Sequence, residues 1–216
     1  MTSDLIDLSS IKFHTKEFWD NFYKNRNKEN KNINWYFDIT NIKINDFSLN
    51  NLTKEDEILL IGPGLSSILD YLNDNDFDRI TIIDFSEELT NILTERYNKE
   101  WIIIKEDITS IGYNFENQFD QIIDKGCLDC ILADPINGEN NFIKTLMSLV
   151  ASLQPKDGVL YYFSDGKIED RINLLYKIQN IKYKVSTIDT NEVMGEEYKQ
   201  FNKNDNLYYL YTITRT

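Results

Sequence analysis

The chain has 216 residues, which is long enough for one α/β domain with a substantial core and too short for two domains of ordinary size. Its 23 basic and 36 acidic residues give a formal net charge of −13 at pH 7. This charge repels nucleic-acid phosphates and anionic membrane surfaces at long range, so we expect neither as a partner. A basic protein or peptide fits better, although the charge is equally compatible with a role in solubility alone.

The amino terminus, Met1 to Asp7, has no basic segment and no apolar core, and no apolar run approaches the roughly 20 residues that span a bilayer. We therefore expect a cytoplasmic protein. Cys127 and Cys130 have the spacing of a redox pair or of half a zinc site. Zinc needs two further ligands, and the single histidine, His14, is far away in sequence, while a thioredoxin-type pair follows the first strand. We expect two reduced thiols on a helix and no metal.

Residues 1–50 are rich in asparagine and lysine and contain several aromatic clusters. Helical spacing predicts a short amphipathic helix ahead of the sheet, around Trp19, Phe22, Tyr23 and Arg26. A polar loop is expected from Asn25 to Asn32. The simplest interpretation of the helix is that its aromatic rings pack on the core, and a role in covering a ligand is the alternative.

Residues 58–84 predict a strand, a glycine turn, a helix and a second strand that ends in an acid. Apolar residues lead into Gly62, Gly64 lets the backbone approach a ligand, and Ser66 can cap the following helix. Asp84 closes the second strand. In a doubly wound sheet this acid lies beside the glycine turn, where a carboxylate can accept hydrogen bonds from both hydroxyls of a ribose. The pattern predicts a site for an adenosine-containing cofactor.

The glycine turn leaves the cofactor open, because nicotinamide enzymes and S-adenosylmethionine enzymes share this half-fold. Ser67 stands where the dinucleotide fingerprint has its third glycine, which favours a cofactor without a pyrophosphate. No Gly-Lys-Ser/Thr follows, so a P-loop is excluded. A short-chain reductase would need a Tyr-x-x-x-Lys pair, which the sequence lacks.

The rest of the sequence alternates helices with strands. Ser86 begins a helix whose predicted buried stripe is Leu89, Ile92, Leu93 and Tyr97. Further strands are predicted at 101–104, 119–124, 159–163, 183–188 and 207–213, with helices around 142–153 and 168–178. This alternation is typical of a mostly parallel sheet covered on both faces.

Two short elements carry a resemblance to a known family: the Asp-Lys-Gly-Cys-Leu-Asp run from Asp124 to Asp129, and the Phe-Trp-Asp of Phe18 to Asp20. With the glycine turn and the Tyr-Tyr-Leu-Tyr ending, the chain resembles class I S-adenosylmethionine-dependent methyltransferases. It is similar, over nearly its whole length, to those that modify lysines of translation elongation factor 1-alpha. The resemblance implies a Rossmann-like, seven-stranded, mostly parallel sheet with an antiparallel last strand and helices on both faces. It also implies a single domain, with residues 1–50 as a lid segment and 51–216 as the core.

The resemblance implies a set of cofactor-binding residues: an amino-terminal lid of Trp19, Tyr23 and Trp35, the turn with Gly62 and Gly64, Asp84 at the ribose, Phe85 against the adenine, Asp107 at the adenine amino group with Ile108 beside it, and Lys125 at the end of the fourth strand. The cofactor would be S-adenosylmethionine and its product S-adenosylhomocysteine. Acids at successive strand ends suit a cationic sulfonium better than two phosphates. Pro63 departs from the family pattern, because it removes one N–H from the turn.

A sulfonium is an activated methyl donor, so the protein must place a nucleophile in line with the methyl carbon and exclude water. A lysine acceptor must arrive neutral, which costs roughly 4.6 kcal/mol at pH 7. Asp124 and Asp129 are candidate catalytic residues that orient the amine. Either can instead be structural, and Asp129 can cap the helix near Cys130.

We therefore expect an S-adenosylmethionine-dependent methyltransferase that acts on a protein lysine, with a substrate like elongation factor 1-alpha. The enzyme alternative is a small-molecule methyltransferase of the same fold, because substrate choice depends on surface loops. The alternative from another class is a non-catalytic module that binds the cofactor or another protein. The sequence leaves the oligomeric state open.

Overall fold

The computed structural model describes residues 12–24, 32–42, 44–97, 100–112, 114–189 and 207–216. These residues include seven strands: β1 (Ile58–Ile61), β2 (Ile80–Asp84), β3 (Ile102–Lys105), β4 (Gln121–Lys125), β5 (Val159–Ser164), β6 (Ile181–Asp189) and β7 (Leu207–Arg215). They form one sheet in the order β3-β2-β1-β4-β5-β7-β6. Strands β1 to β5 pair in parallel, and β7 runs antiparallel to both β5 and β6. The predicted sheet with an antiparallel last strand is confirmed.

The centre of the sheet is its most deeply buried part. Every residue of β1 and β2 is buried, as expected for parallel strands with helices on both faces. Ile61 of β1 pairs with Ile83 of β2 and with Asp124 of β4. Because these strands are parallel, they all finish along one side of the sheet, which we call the carboxyl edge.

Six α-helices lie within the described residues: α1 (Lys16–Lys24), α2 (Ser67–Asp74), α3 (Glu87–Arg96), α4 (Cys127–Leu132), α5 (Gly138–Ser152) and α6 (Ile168–Leu175). The predicted amino-terminal helix is confirmed as α1, while Arg26 and most of the predicted polar loop lie outside the described residues. Helix α5 begins four residues before the predicted Phe142, because a short turn after α4 leads directly into Gly138. Helix α4 carries both cysteines, and both are free, as predicted.

Two apolar cores cover the two faces of the sheet. The first includes residues of α2 and α3 together with the amino-terminal side chains Trp19, Tyr23, Phe37 and Ile39. The second includes Leu128 of α4 and side chains of α5 and α6. The aromatic rings of the amino-terminal segment therefore belong in part to the core, which is the simpler of the two interpretations of their pattern.

Helices α2 and α3 are capped in different ways. Ser86 stands at the start of α3, where a helix start was predicted, and its hydroxyl caps the helix by accepting a hydrogen bond from the N–H of Leu89 at 3.3 Å. Ser66 precedes α2, but its side chain does not cap the helix. Instead Asn34 Oδ1 accepts from the N–H of Ser67 at 3.0 Å and from the Ser66 hydroxyl at 3.2 Å. The cap of α2 comes from a distant segment, which the local pattern could not indicate.

Candidate functional site

The predicted acids and the glycine turn lie along the carboxyl edge. Asp107 follows β3, Asp84 ends β2, Gly62 follows β1 and Asp124 lies in β4, in the spatial order of the strands. The half-buried Cys127 follows β4 and touches Gly62. Burial raises its pKa first, and the nearby charges of Asp124, Cys130, Asp84 and Asp107 raise it further. The three acids thus lie at the carboxyl ends of neighbouring strands, along one side of the sheet.

The glycine turn needs glycine at both predicted positions. Gly62 and Gly64 have φ angles of 49° and 61°, in the left-handed region that favours glycine. A Cβ at Gly62 would lie 2.7 Å from the sulfur of Cys127, and one at Gly64 would lie 2.8 Å from the hydroxyl of Tyr23. The turn is therefore packed between the start of α4 on one side and α1 on the other.

Asp84 is a buried acceptor at the end of β2. Its side chain accepts a hydrogen bond from the N–H of Ser86 at 2.8 Å. Burial raises the pKa of Asp84 to about 7, and the charge of Asp20 also raises it. A carboxylate with so little protein compensation is suited to hydroxyl donors from a ligand. Phe85, which follows it, is half-buried against the first core.

Asp107 and Ile108 lie at the end of β3 with clear local roles. Asp107 is exposed, and its Oδ1 accepts from the N–H and the hydroxyl of Thr109 at 2.9 and 2.8 Å. These bonds cap the short 3₁₀ turn Ile108–Ser110. Ile108 packs against the second core. The carboxylate of Asp107 therefore has a local structural role at the end of β3.

The structure brings the three predicted lid residues together. The ring of Trp19 stacks on Tyr23 at a centroid distance of 5.8 Å and meets Trp35 edge-on at 5.4 Å. Trp19 donates its indole N–H to the carbonyl of Phe13 at 2.7 Å. The indole nitrogen of Trp35 is buried and has no hydrogen-bond partner among the described residues. Since buried donors are normally paired, this N–H is free to meet an acceptor of a ligand.

Helix α1 is fixed beside Asp84 by a contact that the sequence did not reveal. Asp20 Oδ1 accepts from the hydroxyl of Ser86 at 2.7 Å and from the N–H of Glu87 at 3.0 Å. The carboxylate therefore caps the start of α3 from another helix, where negative charge is favoured. Phe18 to Asp20 stood out in the sequence only through the family resemblance.

Residues 32–42, which we call the strap, cross over the carboxyl edge. The N–H of Ile33 donates to the carbonyl of Leu65 at 2.7 Å, and Asn34 caps α2. Lys125 Nζ donates to the carbonyls of Trp35 and Phe37 at 2.6 and 3.2 Å. Burial lowers the pKa of Lys125 to about 7, against the opposing charges of Asp38 and Asp124. Lys125 ends β4, and its amine holds the strap, while its predicted contact with the cofactor stays a prediction.

Asp124 is fully buried, and its carboxylate faces the start of α4. Its Oδ1 accepts from the N–H groups of Cys127 and Leu128 at 2.9 and 3.3 Å. Burial raises the pKa of Asp124 well above its ordinary value, and the charge of Asp129 adds to this. The carboxylate of this candidate catalytic residue is thus used to fix the turn between β4 and α4.

Asp129 is a hub of hydrogen bonds and not a helix cap. Its carboxylate accepts from five groups on three other segments: the hydroxyls of Tyr36 (2.9 Å), Tyr162 and Ser164 (2.9 Å), the N–H of Asp165 (3.2 Å) and the guanidinium of Arg171 (3.0 Å). The capping role considered from the sequence is wrong, because the side chain of this first-turn residue points away from the helix end towards β5 and α6. Its partners are too distant in sequence for a local pattern to reveal them.

Tyr36 is the residue of this region that the sequence reasoning missed. It has a φ of 68°, which is rare for a bulky side chain, and its ring covers Gly126, where a Cβ would lie 3.2 Å from the ring. Its hydroxyl lies 2.9 Å from Asp129 Oδ2 and 3.3 Å from Asp165 Oδ1. The aromatic run that contains it was visible in the sequence, but only Trp35 was selected from it.

The described ranges contain neither a metal site nor a helix that could span a membrane. No group of three or more histidine, cysteine, aspartate or glutamate side chains is placed to hold a metal ion there. None of the helices in that part of the chain is both long and apolar enough to cross a membrane.

Several curated proteins are similar to this chain in sequence, although no protein-family model matches it. The "Protein-lysine N-methyltransferase EFM4" of Saccharomyces cerevisiae is 25% identical over 195 residues, which cover 82% of this chain and 85% of that protein. The "EEF1A lysine methyltransferase 2" of Danio rerio is 32% identical over 162 residues, covering 69% and 68%. The mouse "eEF1A lysine and N-terminal methyltransferase" is 27% identical over 61% of this chain but only 18% of its own length.

Solved structures share the fold. A chain of the complex between the Haloferax volcanii Trm112 methyltransferase activator and its candidate methyltransferase has a TM-score of 0.62 at 12% identity, covering 91% of this chain and 96% of that one. Phosphoethanolamine N-methyltransferase 1 of Haemonchus contortus, in complex with phosphoethanolamine and S-adenosylhomocysteine, also has a TM-score of 0.62 at 12% identity, covering 96% and 52%. At such identities these structures establish the architecture alone.

Proposed function

Because the chain belongs to the family of eEF1A lysine methyltransferases, we propose that it transfers the methyl group of S-adenosylmethionine to a lysine side chain of elongation factor 1-alpha. The observation that carries the proposal is the 32% identity with the zebrafish relative over 162 residues. The sheet order and the acids along the carboxyl edge support it, because in open α/β sheets adenosine cofactors bind in the crevice outside the carboxyl ends of the strands.

The residues at the crevice fit this cofactor on two observations. Asp84 offers a buried carboxylate beside the glycine turn, and Trp35 offers a buried N–H that has no partner in the described part of the chain. We assign the ribose hydroxyls to Asp84 and the methionine part to the turn with Gly62 and Gly64. When bound, the cofactor supplies a methyl group on a cationic sulfur, which is an activated donor.

The remaining predicted residues are assigned by their position relative to Asp84 and the glycine turn. Phe85, Asp107 and Ile108 would lie on the adenine side, next to the ends of β2 and β3. The rings of Trp19, Tyr23 and Trp35 would exclude water and favour a cation by their electron-rich faces, by about 0.5–2 kcal/mol for a well-placed ring. The hydrogen bonds of Lys125, Asp124 and Asp129 support positioning roles, since their polar groups hold the strap, α4 and β5.

The acceptor in this proposal is a basic surface on a protein. The named relatives act on a protein, and the net charge of −13 would attract a partner of opposite charge at long range. Small-molecule methyltransferases share the fold, but at 12% identity that likeness carries no argument about the acceptor. A cytoplasmic location is the natural companion of this proposal, since the acceptor is a translation factor.

Transfer of a labelled methyl group tests the function directly. The purified chain is incubated with labelled S-adenosylmethionine and purified elongation factor 1-alpha, and the product is digested and analysed by mass spectrometry. We expect the label on lysine, and we expect the Asp84→Ala variant to transfer far less. A parallel incubation with a cell extract tests the alternatives. Label found there only in small molecules would support the small-molecule alternative, and cofactor binding without any transfer would support a non-catalytic module.

A further inference from the structure

The acceptor must enter the crevice on the side that the cofactor residues leave open. Asp84 and the glycine turn occupy the ends of β2 and β1. On the other side of β1 the edge continues through β4 and β5, which end next to Gly126 and Asp165. Tyr36 covers Gly126 and reaches Asp165 with its hydroxyl. Tyr36 and Asp165 therefore stand on the side that remains for an acceptor.

A short series of contacts connects this place with the glycine turn. A Cβ on Gly62 would lie 2.7 Å from the sulfur of Cys127, so the two residues touch. Cys127 follows Gly126, and the Tyr36 ring lies 3.2 Å from a Cβ placed there. Asp165 Oδ1 lies 3.3 Å from the Tyr36 hydroxyl. The ring of Tyr36 is thus connected through Gly126 and Cys127 to the loop assigned to the methionine part.

Tyr36 is held in a single orientation from several directions. Lys125 binds the carbonyls of the residues before and after it, at 2.6 and 3.2 Å. The ring packs on Tyr208 at a centroid distance of 5.0 Å, and the hydroxyl is fixed by Asp129. Burial and the charges of Asp129 and Asp165 raise the pKa of Tyr36, so the phenol stays protonated. Such a group can orient a ligand without reorganising.

Asp165 differs from Asp129 because a ligand can reach its carboxylate. The side chain of Asp129 is 7% exposed and is paired with Arg171, whereas Asp165 is exposed and forms no ion pair with the described residues. Among the described residues, Arg171 forms an ion pair with Asp129 alone. Partial burial and the charge of Asp129 raise the pKa of Asp165, opposed by the Tyr36 hydroxyl and by Arg171. A cation that arrives beside Asp165 would balance this charge.

From this arrangement we propose that Tyr36 and Asp165 receive the acceptor lysine and hold its nitrogen towards the glycine turn, with the tyrosine oxygen and ring face on one side and the carboxylate on the other. The inference rests on the proposed function and names the acceptor site within it.

The chemistry of transfer explains why these groups are suited to the task. The lone pair of the lysine nitrogen forms the new N–C bond while the S–C bond breaks, and the nitrogen becomes positively charged before it loses a proton to water. A carboxylate and an aromatic face beside the nitrogen stabilise charge that develops only in the transition state, and such interactions raise the rate.

Two conservative variants test the proposal, with transfer and cofactor binding measured on the full chain. Tyr36→Phe keeps the ring and removes the hydroxyl, and Asp165→Asn keeps the shape and removes the charge. For elongation factor 1-alpha we expect kcat/KM to fall about tenfold in the first and on the order of a hundredfold in the second. The affinity for S-adenosylhomocysteine by calorimetry and the thermal stability should stay close to those of the wild type.

Matched controls and pH profiles separate this role from a general loss of structure. Tyr176→Phe and Asp157→Asn change exposed residues away from the crevice and should leave transfer unaltered. The wild-type profile of kcat/KM should fall more steeply towards low pH than that of Asp165→Asn, because only the wild type also loses the carboxylate. The groups around Asp165 that set its titration are Asp129, Tyr36 and Arg171.

The outcomes distinguish this proposal from the function on which it rests. If the wild type methylates lysine and both variants keep its kcat/KM, the acceptor site is wrong and the function stands. If both variants lose cofactor affinity in parallel with transfer, Tyr36 and Asp165 belong to the cofactor side and the proposal is overturned. If the wild type transfers nothing to elongation factor 1-alpha, the proposed function fails and this inference fails with it.

Discussion

At the scale of single residues, the crevice contains ionisable groups whose burial costs free energy. Asp84, Asp124 and Lys125 are all removed from water, and each has a pKa shifted towards its neutral form by burial. Asp124 and Lys125 are compensated by backbone groups of α4 and the strap. Asp84 has the least compensation of the three, which is typical of a group that waits for a ligand.

The affinity for the cofactor product is expected to depend on pH through Asp84. Its pKa is raised from 3.8 to about 7, so the carboxylate that we propose accepts from the two ribose hydroxyls is present above pH 7 and is lost as the pH falls below it. Calorimetry with S-adenosylhomocysteine should show an affinity that is level near pH 8 and falls by up to tenfold per pH unit below 7. Asp84→Ala should weaken binding at pH 8 by about 1.5–3 kcal/mol and remove this dependence. An affinity that is the same in wild type and variant would exclude Asp84 from the site.

The raised pKa of Asp84 also predicts how the stability of the folded chain changes with pH. Because the folded pKa lies above the unfolded one, the folded chain holds this proton more tightly, and stability falls as the pH rises from about 4 to about 7. Asp84→Asn should therefore be more stable than the ligand-free wild type at pH 8, while Asp78→Asn, an exposed control, should not. Urea unfolding of the wild type and the two variants at pH 5 and pH 8 measures these stabilities. Equal stability of Asp84→Asn and the wild type at pH 8 would contradict the buried, uncompensated state of Asp84.

Asp129 is expected to support the fold more than the chemistry. Asp129→Ala would leave the buried guanidinium of Arg171 and the hydroxyl of Tyr162 without their acceptor. Loss of one partner of a buried pair costs about 3–5 kcal/mol, and denaturant unfolding should show a loss of this order. Asp165→Asn is the comparison, since Asp165 is exposed. A stable Asp129→Ala variant that binds cofactor but transfers no methyl would instead restore the catalytic role considered from the sequence.

At the scale of elements, the proposed cofactor side of the crevice includes α1 and the strap, which no sheet hydrogen bond ties to the core within the described residues. Their aromatic side chains enter the first core, and a few polar contacts set their position: Asp20 at the start of α3, Asn34 at the start of α2 and Lys125 beneath the strap. Elements attached in this way can open without unfolding of the sheet.

Asp20→Ala is expected to loosen α1 while the sheet stays folded. The variant removes the acceptor for two groups at the start of α3, at a cost of about 0.5–2 kcal/mol by analogy with other lost caps. Amide hydrogen exchange should become faster in residues 16–24, and the affinity for S-adenosylhomocysteine should fall. Lys16→Met is the matched control, because it breaks only the exposed ion pair with Asp20. Unaltered exchange and affinity in Asp20→Ala would show that the rings alone hold α1.

At the scale of the whole molecule, the net charge of −13 acts on the encounter with the acceptor more than on the crevice. Long-range attraction between a strongly acidic protein and a basic surface increases the rate of association, and salt weakens it. Cofactor binding should respond less to salt, because it depends on buried groups whose interactions salt screens only weakly.

Salt is therefore expected to separate acceptor binding from cofactor binding. As ionic strength rises from about 0.05 M to about 0.5 M, kcat/KM for elongation factor 1-alpha should fall roughly tenfold, because the Debye length becomes shorter than the separation of the approaching surfaces. The affinity for S-adenosylhomocysteine should change much less. A kcat/KM that does not respond to salt would remove the electrostatic argument for a basic partner.

The sequence by itself determined the alternation of strands and helices, the glycine turn with Asp84 at the end of β2, and the start of α3 at Ser86. Each of these depends on neighbours in the chain: hydrophobic period, the conformational freedom of glycine at positive φ, and a hydroxyl within three residues of the N–H that it meets. The sequence placed the helix ends less accurately, because they depend on how the adjoining turn packs. The start of α5, four residues before the predicted Phe142, is an example.

Only the tertiary structure decided which distant side chains meet at the carboxyl edge. Asn34 caps α2 in place of Ser66, Lys125 holds the strap, and Asp129 is a hub for Tyr36, Arg171 and residues of β5. These contacts join segments that are far apart in sequence, and their geometry is set by the order β3-β2-β1-β4-β5 and by the path of the strap across it. A local pattern reports which residues can donate or accept, whereas the crossing of segments selects the partners.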